Sequence, residues 1–445
     1  MVEQSSIQQN TKTIQPGARK GSVTVPSSKS QLHRLLICAA LGESTVQIAY
    51  RGLSEDIEAT VRCLNALGAK IETAERNGQS VLLVQPLDRA KQIRGAVLDC
   101  GESGSTLRFL LPIAGLLGAE CTFLMRGRLS KRPLTYYDEQ LRLHGMTLQQ
   151  EGDVLRVCGR LGAGEYVLPG NISSQYISGL LMAFGGLAGS SSLAITGTPE
   201  STPYIDMTER VLQQSGIAFC REKLSWSVEG GQRYRLPETL QAEGDYSSAT
   251  FFLCMGALSS EGILVRGLDP LSAQGDRAVL QVLRSFGADV EETAEGVRVK
   301  EKRLKGTVID ASQIPDSVPA LSVLGALAEG KTKIVNARRL RLKESDRIRS
   351  TAAMLRALGG QVEEREDGMT IFGSRHLSGG TVDPFGDHRI AMAAAEAACG
   401  CSGPVTICGP GCAAKSYPQF WTDLEQLSLE EQSVPPLRSG TGESK

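Results

Sequence analysis

Five segments of the chain end in the same way: CLNALGAKIE from Cys63, QLRLHGMTLQ from Gln140, RVLQQSGIAF from Arg210, QVLRSFGADV from Gln281 and AMLRALGGQV from Ala353. Each reads as the last turns of an amphipathic helix, a glycine where the chain leaves it, and a run that starts a strand. The glycines, Gly68, Gly145, Gly216, Gly287 and Gly359, are separated by 77, 71, 71 and 72 residues. Helix-glycine-strand is ordinary αβ punctuation, but such even spacing is not. A repeat of about 70 residues is larger than a solenoid unit and has the size of a small αβ subdomain. Residues 418–429 read as one more helix with no strand after it, a sixth copy that is incomplete or rearranged.

A chain of 445 residues exceeds one ordinary core, so two or more domains are expected. No long Pro/Ser-rich linker divides it. Two short segments are candidate crossings between halves: Val25-Pro26-Ser27-Ser28 and Glu243-Gly244-Asp245. If the chain crosses at both, residues 1–27 belong with 244–445, and 28–243 form the other domain. Two such bodies can hinge.

The formal net charge of -1 gives no reason to expect nucleic acid or an anionic membrane as partner. No run approaches the apolar length of a membrane span, and the first dozen residues carry neither an apolar signal core nor an Arg-rich transit pattern. Most of the eleven cysteines sit in apolar helical runs, as Cys38 and Cys254 do, which reads as reduced core thiols in a cytoplasmic protein. The cluster Cys399, Cys401, Cys408 and Cys412 lacks zinc-site spacing, so no metal is expected.

Basic character is local, and it gathers at helix starts. Pro26-Ser27-Ser28-Lys29-Ser30 opens one apolar helix, with His33 and Arg34 a turn further on. Gly101-Glu102-Ser103-Gly104-Ser105-Thr106, with Arg108, opens another, and Asn171-Ile172-Ser173-Ser174-Gln175 a third. Asp387-His388-Arg389 precedes a fourth, and Lys415-Ser416-Tyr417-Pro418 reads as the start of the last, with Pro418 in its first turn. Helix N-termini expose unpaired N–H groups and partial positive charge, which hydroxyls and a nearby cation turn into a phosphate or carboxylate site. One such start is usually a simple cap; five in one chain point to convergence on anionic ligands. The absence of Walker-type and G-x-G-x-x-G runs argues against a nucleotide. Two further segments are basic: 338–347, where Lys343, Glu344, Asp346 and Arg347 crowd one helix start, and the loop 126–133. A carboxylate among cations, as Glu344 is, can hold or deliver a proton. Pro315-Asp316-Ser317 adds a carboxylate at one more helix start.

At these residues the chain resembles the 5-enolpyruvylshikimate-3-phosphate synthases. The matching runs are Ser28-Lys29-Ser30 with Arg34, Ser103-Gly104-Ser105-Thr106-Leu107-Arg108, Arg128 through Arg132-Pro133, Ser173-Ser174-Gln175, Ser201-Thr202-Pro203-Tyr204-Ile205-Asp206 and Pro315-Asp316. They continue with Leu342-Lys343-Glu344-Ser345-Asp346-Arg347, Asp387-His388-Arg389-Ile390-Ala391-Met392 and Lys415-Ser416-Tyr417-Pro418, in family order along nearly the whole chain. The resemblance implies an α/β fold of two similar globular domains, each of three βαβαββ units arranged as an inside-out α/β barrel. It implies closure on ligand, no metal or organic cofactor, a monomer, and two small-molecule partners, phosphoenolpyruvate and shikimate 3-phosphate.

Carried over residue by residue, the resemblance places the shikimate phosphate against Ser173, Ser174, Ser201 and Lys343. Ser30, Arg34, Gln175 and Asp316 then hold the ring and its hydroxyls. Phosphoenolpyruvate lies among Lys29, Gly104, Arg128, Gln175, Arg347, Arg389 and Lys415. Glu344 is the implied proton donor to the methylene carbon, Asp316 or Lys29 the acceptor of the hydroxyl proton, and His388 an orienting or shuttling group. Two positions depart from the pattern: Glu102 and Arg339 stand where many relatives carry Asn. Gly104 matches the glycine that leaves room for glyphosate in sensitive relatives. The related UDP-N-acetylglucosamine enolpyruvyl transferases carry a reactive cysteine in the corresponding mobile loop; loop 126–133 has none. A non-catalytic anion-binding protein of the same fold would have lost acid and base groups that are all present here.

Overall fold

The computed structural model describes residues 10–171, 173–198 and 201–430. Residues 1–9 and 431–445, the ends of the first expected domain, lie outside the described residues, as does Ile172 in the third helix start.

One unit shows the plan of all. Strand Arg94–Asp99 leads to helix Gly104–Leu117, strand Glu120–Leu124, helix Thr135–Leu143 and the hairpin Met146–Glu151 with Val154–Gly159. The first two strands pair in parallel and the hairpin adds antiparallel, a βαβαββ order. The units beginning at Glu165–Pro169 and at Val308–Asp310 repeat it. Two more units borrow their first strand from a distant segment: Thr239–Gln241 runs parallel to Val46–Ala49, and Arg19–Thr24 parallel to Ile263–Arg266. In the sixth, Gly380–Val382 and Val405–Cys408 pair in parallel, and Thr11–Ile14 takes the place of the hairpin.

The five repeat glycines all hold φ between 74° and 104°. At Gly145 an added Cβ would also meet the Arg160 carbonyl oxygen at 2.7 Å, so both conformation and space demand glycine. Each glycine feeds a strand at the edge of its sheet: Lys70–Arg76, Met146–Glu151, Cys220–Glu222, Asp289–Thr293 and Gln361–Arg365. Charged residues such as Glu72, Arg76, Glu292 and Glu363 blunt these edges against further pairing.

The C-terminal reading needs two corrections. A strand, Ser428–Leu429, does follow the last helix, Phe420–Glu425; it covers the free edge of Arg19–Thr24. Lys415 does not open that helix but ends a 3-10 helix, Pro410–Lys415. Pro418, with no N–H to extend that ladder, lies two residues before the α-helix restarts at Phe420.

Six helices are buried on nearly all sides: Lys29–Ala40, Gly104–Leu117 and Ser174–Phe184 in one hydrophobic core, and Tyr246–Ala257, Val318–Leu327 and His388–Ala397 in another. A helix apolar all round can only be interior, so the sheets lie outside and the barrel is inside out. The first core draws on residues 32–242, the second on 14–25 and 246–427. Where the chain passes between them its strands are tied: Ser28 N donates to Glu243 O at 2.7 Å, and Asp245 N to Pro26 O at 2.9 Å.

Candidate active site

The six inner helices begin at one place. Arg389, in the first turn of its helix, donates to Ser247 Oγ at 2.9 Å and to Asp316 O at 3.1 Å, tying together three helix starts of the second core. Across from them, Gln175 Nε2 donates to Ser105 Oγ at 2.9 Å, and Gln175 Oε1 accepts from Arg108 Nη1 at 2.6 Å. Ser28, Ser103, Ser173 and Asp387 each cap their helix by accepting a backbone N–H two or three residues on. The partial positive ends of both sets of helices thus face a common cleft of about 420 Å³, within the size range of small-molecule sites.

Fourteen of the residues expected at the site line this cleft: Lys29, Ser30, Arg34, Gly104, Ser173, Ser174, Gln175, Ser201, Asp316, Lys343, Glu344, Arg347, His388 and Arg389. Two do not. Arg128 is exposed on its loop, and Lys415, though buried, is outside the lining and turned onto Asp56 and Glu102. In place of Arg128 the loop sends in Arg132, whose Nη2 lies 3.2 Å from Glu344 Oε1. Arg108, Arg339 and Asp56, none of them assigned from sequence, also line the cleft. Arg132 and Arg128 flank a 3-10 turn, Leu129–Lys131. At three residues per turn, positions four apart diverge, so one points in and the other out.

Charge is dense here. Arg347, with 1% of its side chain exposed, bonds Asp316 Oδ1 at 2.6 Å, Glu344 Oε2 at 2.6 Å and Asp387 Oδ2 at 2.8 Å. Asp316 also meets Lys343 at 3.3 Å and Arg389 at 3.5 Å. Burial pushes the Asp316 carboxyl up, but Arg389, Lys343 and Arg347 outweigh it and hold it well below the usual carboxylate range. Glu344 is likewise raised by burial and then held far down by Arg132 and Arg347. These cations therefore favour the ionised form of both carboxyls. A second knot lies beside it: Asp56 joins Lys29 at 2.8 Å and Lys415 at 3.3 Å, while Glu102 Oε2 stands 3.6 Å from the same Lys415. Arg34, Arg108 and Arg339 add cations to the lining, so positive charge exceeds negative.

Positioning is equally specific. Arg34 donates to Ser30 O, Thr208 Oγ1, Ser178 Oγ and Tyr204 O and lies over the Phe109 ring, which fixes Ser30. Ser201 holds φ 56°, a conformation rare outside glycine, and its Oγ accepts from Arg339 at 3.2 Å. His388 has no hydrogen-bond partner on either ring nitrogen, and burial pushes it down to about 3, so it is neutral. At Gly104 a Cβ would come within 2.9 Å of Arg132 Nη1 and 3.3 Å of Arg108 Nη1. The glycine is what lets two guanidinium groups meet at a helix start.

Such a cleft, cationic, lined from both cores and holding the carboxylates Asp56, Asp316 and Glu344, suits an enzyme that acts on small polyanions. A family model described as EPSP synthase (3-phosphoshikimate 1-carboxyvinyltransferase) matches residues 14–424. The chain belongs to this family. It is 43% identical to the 3-phosphoshikimate 1-carboxyvinyltransferase of Clostridium acetobutylicum, over 94% of this chain and 97% of the relative. With that of Clostridium kluyveri the identity is 40%, over 95% and 99%. Among solved structures, the EPSP synthase of Acinetobacter baumannii superposes with a TM-score of 0.77 at 28% identity, over 95% of this chain and all of that one. The enolpyruvyl transferase NikO of Streptomyces tendae shares the fold, at TM-score 0.74 and 18% identity over 95% and 99%. No helix among the described residues is long and apolar enough to cross a membrane.

Proposed function

We infer that the protein transfers the enolpyruvyl group of phosphoenolpyruvate to the 5-hydroxyl of shikimate 3-phosphate and releases inorganic phosphate, a step toward chorismate and the aromatic amino acids. The observation that carries this reading is the single cleft in which Arg132, Arg347 and Arg389 surround Glu344 and Asp316. Planar guanidinium groups pair well with carboxylate and phosphate.

In the first step a proton from Glu344 goes to the methylene carbon, and the 5-hydroxyl oxygen bonds to the adjacent carbon, losing its proton to Asp316; Lys29, the other expected acceptor, already donates to Asp56 at 2.8 Å. In the second, the bond to the phosphate oxygen breaks and a methyl proton returns to Glu344, restoring the enol ether. Glu344 must start that cycle protonated, yet Arg132 and Arg347 favour its ionised form. A bound phosphate dianion supplies those guanidinium groups with another partner, and burial then favours the neutral acid. The donor thereby prepares its own proton donor, and the same cations stabilise the departing phosphate.

Ser173, Ser174, Ser201 and Lys343, together with Arg339, form the phosphate end for the acceptor; Ser30, Arg34, Gln175 and Asp316 face its ring. Lys29, Gly104, Gln175, Arg347, Arg389 and Lys415 serve phosphoenolpyruvate, with Arg132 supplying the contact expected of Arg128. The two cores act as bodies that close on the ligands, residues 1–27 with 244–445 as one and 28–243 as the other. We take the protein to be a monomer, and its eleven free thiols suit a reducing cytoplasm. Gly104 leaves space for glyphosate, so turnover falls at millimolar glyphosate; unchanged turnover there removes that part of the reading.

Phosphate release with phosphoenolpyruvate and each of three acceptors tests the whole. Release with shikimate 3-phosphate, but not with shikimate or UDP-N-acetylglucosamine, is expected. Release with the nucleotide sugar, or with none of the three, overturns it.

A further inference from the structure

Lys415 already has two carboxylates, and they are not equivalent. Asp56 is buried and holds Lys29 as well, so moving it would uncover two ammonium groups. Glu102 is 47% exposed and holds Lys415 alone, at 3.6 Å. The surroundings are cut to fit the Glu102 carboxylate. It lies over Gly127, where a Cβ would come 2.0 Å from Glu102 Oε1, and Arg126 N ties that loop to Gly101 O at 2.8 Å. Glu102 belongs to the part of the chain that builds the first core, and Lys415 to the part that builds the second. Any anion that comes to Lys415 must share it with Glu102 or displace it.

We propose that Glu102 is a displaceable counter-ion, a positioning residue that pairs with Lys415 until an anion competes for it and so sets how tightly the donor end takes that anion. The proposal rests on the reading that phosphoenolpyruvate binds there. Removing one half-exposed ion-pair partner changes an equilibrium by about 2- to 5-fold. Glu102→Gln therefore binds inorganic phosphate about 2- to 5-fold more tightly by titration calorimetry. Its KM for phosphoenolpyruvate falls by a similar factor while kcat moves less than KM. Glu120→Gln, which removes an exposed charge at the start of strand Glu120–Leu124, serves as control.

Phosphate affinity of Glu102→Gln equal to that of Glu120→Gln, or a fall in kcat with KM unmoved, overturns the proposal. Phosphate titration needs no acceptor. Tighter phosphate binding without turnover on shikimate 3-phosphate would sink the reaction reading and leave Glu102's role standing; normal turnover with unchanged phosphate affinity does the reverse.

Discussion

Glu344 contacts a guanidinium from each side of the cleft, Arg132 and Arg347, and both favour its ionised form. Glu344→Gln keeps its size and hydrogen bonding but cannot exchange a proton. It should lower kcat by about 10²- to 10⁴-fold and abolish deuterium uptake into the methylene group of phosphoenolpyruvate, followed by NMR in D2O. KM should change less. Gly104→Ala tests space instead of chemistry. Its methyl would come within 2.9 Å of Arg132 Nη1 and 3.3 Å of Arg108 Nη1, so these flexible guanidinium ends must shift, and KM for phosphoenolpyruvate should rise while the unfolding midpoint changes little. Glyphosate inhibition, measured on the same preparations, should weaken too. At this scale the sequence was legible where a residue type is tied to a helix start, as with Ser28, Ser103 and Asp387. It was not legible where side-chain direction decides. Arg128 and Arg132 carry the same chemistry in the same loop, and only the 3-10 turn between them sends one inward. Asp56 was hidden differently: beside Glu55 and Glu58 it looks like any acidic first turn of a helix, and its two lysine partners are distant in sequence.

Helix His388–Ala397 brings His388 and Arg389 to the cleft, and near its other end it carries a misfit. Glu396 is fully buried, and neither carboxyl oxygen has a hydrogen-bond partner. Burial pushes its carboxyl well above the usual carboxylate range. A group whose folded pKa is raised contributes stability below its unfolded value and loses it as pH climbs toward and through the folded one. Replacing it with an apolar residue of similar length should therefore help most at high pH. Glu396→Met is expected to gain about 1–3 kcal/mol in urea unfolding at pH 8, with a smaller gain near pH 4.5. A gain that does not vary with pH would mean that packing, not ionisation, is the cost. Elements as such were the most legible level. The repeat glycines announced themselves because a left-handed helix end is a local requirement, and all five meet it. The sixth unit is rearranged, as expected, with Thr11–Ile14 from the opposite end of the chain in place of its hairpin, but the strand Ser428–Leu429, which joins another sheet, was not foreseen. Pairing between remote segments leaves no periodic trace in either one.

Charge ties the two cores to each other. Arg132 with Glu344, Lys415 with Asp56 and Glu102, and Arg51 with Asp423 all join residues from the two cores' parts of the chain, and the crossing at Ser28 and Glu243 is a pair of backbone strands that can serve as a hinge. These pairs are not equally shielded. Arg51 is 41% exposed and Glu102 47%, whereas Lys415 and Asp56 are almost fully buried. Screening reaches the exposed pairs first, since the Debye length falls from about 10 Å at 0.1 M salt to about 3 Å at 1 M. Without ligand, then, raising salt to 1 M should increase the radius of gyration seen by small-angle scattering, and Arg51→Ala should produce part of that opening at 0.1 M. Shikimate 3-phosphate with phosphoenolpyruvate should reverse both, because bound anions bridge cations that salt has separated from their carboxylates. The sequence could suggest the crossing from two short polar segments, but not the resting state, which depends on ion pairs between residues hundreds of positions apart, Arg51 and Asp423 among them. A radius that ignores salt, the Arg51 change and ligands alike would mean that the two cores form one rigid body and that substrates enter without any hinge.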